Sequence, residues 1–197
     1  MTVCYTGIFY PQKDPYTFFR AVAHWRDSAS ELRSREIREH FRIWLVGVED
    51  RTTPAVVAQL GLDDVTTFFT RRPQSEARAM CLQSDYLLIA SGLNDKSREG
   101  WLPSKVFEYL GCRKPIIAVS KQGQLADLIR GTDSGSVFHS SDLTPIIDLL
   151  DAALSEKLEH GTLQSNLSFQ GVERYSETRM VGQFLKLADD LVTETQS

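Results

Sequence analysis

Several signatures are missing from this 197-residue sequence, and each absence narrows the field. No apolar run approaches the roughly 20 residues that a membrane helix needs. The start, Met1-Thr-Val-Cys-Tyr-Thr-Gly7, has neither the basic opening nor the apolar stretch of a signal peptide. There are only three cysteines (Cys4, Cys81 and Cys112), and no CxxC pair. This predicts reduced thiols in a cytoplasmic protein, not a disulfide frame or a zinc site. Basic charge is scarce: 22 Lys and Arg stand against 26 Asp and Glu, a formal net charge of −4. That sets aside a nucleic-acid-coating protein, whose phosphate contacts need a basic surface.

Site motifs are sparse as well. Gly7 stands alone in Thr6-Gly-Ile-Phe-Tyr-Pro11, where a dinucleotide site would place G-x-G-x-x-G. No G-x-x-x-x-G-K-[ST] phosphate loop occurs, and no G-x-S-x-G elbow supports a serine nucleophile. Asp-x-Asp is absent and His24, His40, His139 and His160 are scattered, so no metal site is expected. The histidines read as surface or helix residues. There is no internal repeat, low-complexity tract or convincing linker.

What is present is an alternation. Val3–Thr6, Ile43–Val46, Val65–Phe69, Tyr86–Ala90, Pro115–Val119 and Ser136–His139 are short, nearly continuous apolar runs, as strands covered on both faces should be. Between them, amphipathic stretches predict helices over Asp14–Arg26, Pro54–Leu60, Gln74–Gln83, Pro103–Leu110 and Gln124–Ile129. Gly61, Gly111 and Gly131 are read as their C-terminal stops. The charged segment Asp27–His40 is either a helix extension or a solvated loop. Asp142–Leu158 and Thr178–Val192 read as closing helices, with Glu159–Ser168 as the break that separates the final helices from the body. The prediction is one α/β domain over residues 1–197, Rossmann-like and doubly wound. It has a six-stranded parallel sheet and helices on both faces within about residues 1–158, and closing helices within 169–197.

In such a sheet, ligands bind at the carboxyl ends of the strands where the strand order reverses. With the order 3-2-1-4-5-6, that crevice lies between the first and fourth strands. The connections after these two, Gly7–Lys13 and Ser91–Leu102, exceed the common length of about 2–6 residues. Their length reads either as function or as ordinary loop drift. The sharpest local segment is Leu102-Pro-Ser-Lys-Val-Phe-Glu-Tyr-Leu-Gly111. Pro103 in the first turn of a helix would turn free amides toward the crevice, where an anion is favoured. Ser104 and Lys105 lie at that helix start, and Lys105 adds positive charge. Glu108, one turn on, suits two hydrogen bonds to vicinal ribose hydroxyls. The residues alone leave open a second reading, a surface i,i+3 Lys–Glu pair worth about 0.2–0.5 kcal/mol.

Taken in order, these pieces resemble the C-terminal, donor-nucleotide-binding domain of group 1 glycosyltransferases with the GT-B fold. The resemblance runs from Tyr5-Thr-Gly-Ile-Phe-Tyr10 and Lys13-Asp-Pro15 through Leu45-Val-Gly47, Leu60-Gly-Leu-Asp-Asp-Val65 and Ser84-Asp-Tyr-Leu-Leu-Ile89. It continues into Pro103-Ser-Lys-Val-Phe-Glu-Tyr-Leu-Gly111 and Lys114-Pro-Ile-Ile117. It implies that Glu108 holds the ribose, Lys13 contacts the diphosphate, and the loop Thr70–Pro73 meets the base largely through its backbone. Gly7 would let the first loop approach the phosphates closely. Two positions depart from the pattern. An earlier family glutamate would fall at Gly100, which Glu99 misses by one, so Glu99 is only a weak candidate for the donor sugar. The family's frequent arginine after the first glycine is replaced near Ile8. Arg71 or Arg72 would supply that charge instead, or they form an exposed basic pair.

The activity implied is transfer of a sugar from a nucleotide diphosphate sugar to an acceptor, with retention and without a metal or other cofactor. The catalytic base is unknown. The implied partners are the nucleotide sugar and an N-terminal acceptor domain, with no nucleic acid and any membrane contact only through that other half. The sequence starts almost inside its first strand, as expected if a neighbouring domain has been left out, and the chain alone is expected to be inactive. Two other readings stand beside this one: a non-catalytic, degenerate nucleotide-binding or scaffolding domain, and half of a nucleotide-sugar epimerase.

Overall fold

Short apolar runs flanked by amphipathic segments bury both sheet faces only when helices cover each side, and the computed structural model has that arrangement. The structure describes residues 1–9, 16–91, 102–139 and 141–195. Its elements are β1 (Thr2–Thr6), α1 (Tyr16–Ser28), α2 (Glu31–His40), β2 (Arg42–Val46), α3 (Thr52–Gln59), β3 (Thr66–Phe69) and α4 (Gln74–Gln83). These are followed by β4 (Tyr86–Ser91), α5 (Lys105–Cys112), β5 (Ile116–Ser120), α6 (Gln124–Gly131), β6 (Gly135–Phe138) and α7 (Leu143–His160). A 3₁₀ turn (Val172–Tyr175) leads into α8 (Glu177–Thr195). All strand pairs are parallel, in the order β3-β2-β1-β4-β5-β6.

Alternation along each strand divides the core in two. Val3, Tyr5, Ile43, Leu45 and Leu88 face a layer built from α1 and α7, joined by Val57 of α3 and Ile37 of α2. Cys4, Leu87, Ile89 and Ala118 face the other layer, where α4, α5 and α6 bring Cys81, Val106, Leu110 and Ile129.

The sheet divides at one place. β1 pairs with β2 along its whole length, from Thr2↔Arg42 to Thr6↔Val46. With β4 it pairs only at Val3↔Tyr86 and Cys4↔Leu87. Above Cys4 the two central strands part, and the crevice expected at the reversal of strand order opens there.

Some local expectations needed correction. Within Asp27–His40, Asp27 and Ser28 finish α1, and the remainder is neither a loop nor a further extension of it. Ser30 caps a separate helix by accepting from the Arg33 amide at 3.3 Å. Ile37 is its single fully buried apolar anchor, so charge concealed a one-residue stripe. Gly111 and Gly131 lie inside α5 and α6, and α5 ends instead at Arg113 in the left-handed conformation, with φ 51°. The stretch 159–168 is stitched to the body. Leu163 and Leu167 pack on the two core layers, and the Ser168 amide donates to Asp133 Oδ2 at 2.9 Å. α8 leaves Met180, Val181, Phe184, Leu185 and Leu187 exposed and does not close over the sheet. Among the described residues no helix is long and apolar enough to cross a membrane.

Candidate functional site

The carboxyl ends of β1, β2 and β3 continue upward as a staircase of main-chain hydrogen bonds. The Gly7 amide donates to Val46 O at 2.8 Å, and the Gly47 amide donates to Phe69 O at 2.9 Å. Both glycines have positive φ, +92° and +75°, a region that side chains rarely adopt. A Cβ on Gly47 would lie 3.7 Å from Arg71 Cα and 3.9 Å from Gly7 Cα, so three backbones meet at this point. They form one wall of a cleft of about 530 Å³. The start of α5 forms the opposite wall, and the volume suits a ligand of nucleotide size.

Six of the residues expected from sequence line this cleft: Gly7, Arg71, Arg72, Ser104, Lys105 and Glu108. Lys13 and Glu99 lie outside the described residues. The helix begins later than expected, with Ser104 at the N-cap and Pro103 before it. Val106 and Phe107 donate their amides to Pro103 O and Ser104 O, at 3.0 and 3.1 Å. The anion-attracting amides expected of this helix start are therefore confined to what precedes Val106.

Lys105 reaches back across the split. Its Nζ donates to Thr6 O at 2.7 Å and stands 3.7 Å from the centre of the Tyr5 ring, in cation–π geometry. Glu108 is exposed on the cleft side, and its Oε1 accepts from Gln74 Nε2 at 3.1 Å, joining α5 to the start of α4. Arg71 and Arg72 are exposed at the end of β3, and Arg72 pairs with Glu76 at 3.8 Å.

Sequence reasoning missed Gly47, Glu49 and Gln74, which also line the cleft. Gly47 and Glu49 follow β2, and a glycine after the second strand was the available signal for that turn. Tyr109 was also missed. Fully buried, its hydroxyl accepts from the Thr6 amide at 3.0 Å and lies 3.3 Å from Thr6 Oγ1. Burial pushes its phenol well above the usual range, so it stays protonated.

Behind α5, Cys4, Cys81 and Cys112 are free and buried. Cys112 favours the Cys81 thiolate, but the Cys4 thiol and burial outweigh it and push Cys81 up to about 12. The Cys81 thiol and burial also push Cys112 up, so neither is a ready nucleophile at neutral pH. Among the described residues no group of three or more His, Cys, Asp or Glu is placed to hold a metal ion.

No curated protein matches the sequence. Among solved structures, Alr3699/HepE from Anabaena, in complex with UDP, aligns at a TM-score of 0.67 and 14% identity, over 96% of this chain and 48% of that one. A glycosyltransferase from Rickettsia africae aligns at 0.68 and 14% identity, over 97% and 48%. The pneumococcal O-GlcNAc transferase GtfA, in complex with UDP and GlcNAc, aligns at 0.63 and 14% identity, over 97% and 36%. The chain thus spans about half the length, or less, of these structures, and at such identities the likeness is one of fold. The sequence match is more specific: residues 2–168 fit the family described as glycosyl transferases group 1. Matched over nearly its whole length and folded around the expected crevice, this chain belongs to the group 1 glycosyl transferase family.

Proposed function

We propose that this chain is the donor-binding half of a glycosyltransferase that takes a sugar from a nucleotide diphosphate sugar. The observation that carries the reading is the cleft at the parting of β1 and β4, with Gly7 and Lys105 at its floor and Glu108 one helical turn along α5. The glycine admits a phosphate to close approach, and the lysine supplies charge beside it. Glu108 offers two acceptor oxygens to vicinal ribose hydroxyls, and Gln74 fixes the orientation of the carboxylate. The loop after β3 meets the base through its backbone, while Arg71 and Arg72 add positive charge at its edge.

In this reading the leaving diphosphate is stabilised by Lys13, Lys105 and the start of α5, including Ser104. That is electrostatic preorganisation at the atoms where negative charge develops. The same charge favours departure of the diphosphate through an oxocarbenium-like transition state without a metal or other cofactor, and in this reading, by the family resemblance, the transfer retains the anomeric configuration. The acceptor and the remaining catalytic groups come from another domain, so the chain alone binds the donor and transfers nothing. Glu99 is the candidate for contact with the donor sugar. UDP accompanies two of the similar structures, which favours a uridine diphosphate donor.

Calorimetry with UDP, GDP and ADP tests the reading. UDP is expected to bind, and Glu108→Ala to weaken it about 10- to 100-fold, the worth of one or two hydrogen bonds to a charged group. No response to any of the three nucleotides, or equal binding by the variant, rejects the assignment.

A further inference from the structure

Thr6 is the last residue of β1, and its main-chain groups face a strand that is no longer there. Strand residues present their N–H and C=O to alternate sides. Thr2 shows which side: its amide donates to Asp85 Oδ2 at 2.7 Å and its carbonyl accepts from the Asp85 amide at 2.9 Å, just before β4. Gly7 donates the other way, toward β2. Thr6, four residues after Thr2, therefore points toward β4, but pairing with β4 stops at Cys4. A buried amide and carbonyl left there without partners would be costly. Two side chains of α5 take the place of the strand. Tyr109 Oη accepts from the Thr6 amide at 3.0 Å, and Lys105 Nζ donates to the Thr6 carbonyl at 2.7 Å. Tyr109 Oη also meets Thr6 Oγ1 at 3.3 Å, a contact in which either hydroxyl can donate. The peptide that leads into Gly7 is thus held at the crevice floor by two side chains, of which Lys105 lines the cleft and Tyr109 does not.

We propose that Tyr109 is a positioning residue of the donor site: its hydroxyl substitutes for the missing strand at Thr6 and so fixes Gly7 where the donor's phosphates are to be held. This rests on the donor-binding reading above. Lys105 shares the task, and it contributes charge whether or not Tyr109 is present. Tyr109 contributes only the hydroxyl, which makes Tyr109→Phe the cleaner probe because ring and packing are kept.

The full chain is titrated calorimetrically with UDP, GDP and ADP and with the matching monophosphates, and thermal unfolding of each variant is followed in parallel. For the diphosphate that binds the wild type, Tyr109→Phe is expected to lose about tenfold in affinity, and less than about threefold for the monophosphate, as a displaced phosphate-facing turn should. Glu108→Ala, a ribose contact present in both ligands, is expected to lose equally for the two. Thr6→Val, which removes only the Oγ1 contact, should repeat the Tyr109→Phe ordering at smaller size, and it serves as the test if Tyr109→Phe does not fold. Equal losses for both ligands, or none, overturn the positioning role while leaving the donor-binding reading in place. A wild-type chain that binds none of the three diphosphates overturns both.

Discussion

Two polar bridges cross this molecule on opposite faces of the sheet, built from similar chemistry to different ends. On the α1/α7 face, Asp151 of α7 accepts from Trp25 Nε1 of α1 at 2.8 Å and from Arg33 Nε of α2 at 2.7 Å. Arg33 also reaches Glu36 and Ser155, at 2.9 and 2.6 Å. Three helices are tied together well away from the crevice. On the other face, Tyr109 and Lys105 of α5 tie a helix to the open end of a strand, at the cleft floor. The first bridge orders elements that already pack through apolar side chains. The second takes over a pairing that the sheet gave up in order to open a site. Substitutions on the first face should therefore be read in stability, and those on the second in ligand affinity.

The sharpest break between the two comes from the core on the first face. Phe18 is fully buried in α1, and its ring lies edge-on to Phe19 with centroids 5.9 Å apart. Phe18→Ala is expected to cost about 3–5 kcal/mol in denaturant unfolding, the usual range for an aromatic truncated in a core. Nucleotide affinity, measured on the fraction that remains folded, should be unchanged. A proportionate loss of affinity would mean that the two layers are coupled across the sheet.

Glu108→Ala provides the reverse case. Its side chain is exposed and touches only Gln74 among the contacts described above, so the unfolding midpoint should move by no more than an ordinary surface change, about 0.5 kcal/mol. The affinity loss predicted above should appear in full. An equal shift in stability would place Glu108 among the structural ties between α4 and α5.

The contrast also accounts for how much could be read from sequence. The six strands were legible to within about one residue, because residues buried on two faces must be apolar along their length. Gly7, Lys105 and Glu108 were legible because the chemistry of each is local: a lone glycine after a strand, and two charges one turn apart. Gln74 was not, since its bond to Glu108 joins residues 34 apart that only the order of the sheet brings together. Tyr109 stood in the segment singled out, yet its hydroxyl has a task only once β1 and β4 are known to part after Cys4. The helix α2 was obscured for the opposite reason: one buried isoleucine among mostly charged residues leaves no period to detect.

The smallest expected effect tests the first bridge by itself. Burial raises the Asp151 pKa, but hydrogen bonds from Arg33 and Trp25 and the nearby guanidinium charge outweigh it, so the folded carboxyl titrates below its ordinary value. A carboxylate held low in the fold stabilises fully above its unfolded pKa of about 3.9 and loses that contribution as pH falls through the lower, folded value. Asp151 is 46% exposed, which reduces the ion pair to about 1 kcal/mol or less. Denaturant unfolding of Asp151→Asn at pH 7 should therefore show a small destabilisation, because asparagine keeps an acceptor for Trp25 and loses only the charge facing Arg33. As pH falls from about 5 through the folded value, the wild type should lose this advantage and the two curves should converge. At pH 7 the variant should bind nucleotide as the wild type does. Curves that stay parallel on acidification would show that Arg33 draws its stabilisation from Glu36, Ser155 and the Asp151 carbonyl, with the Asp151 carboxylate serving only as an acceptor for Trp25.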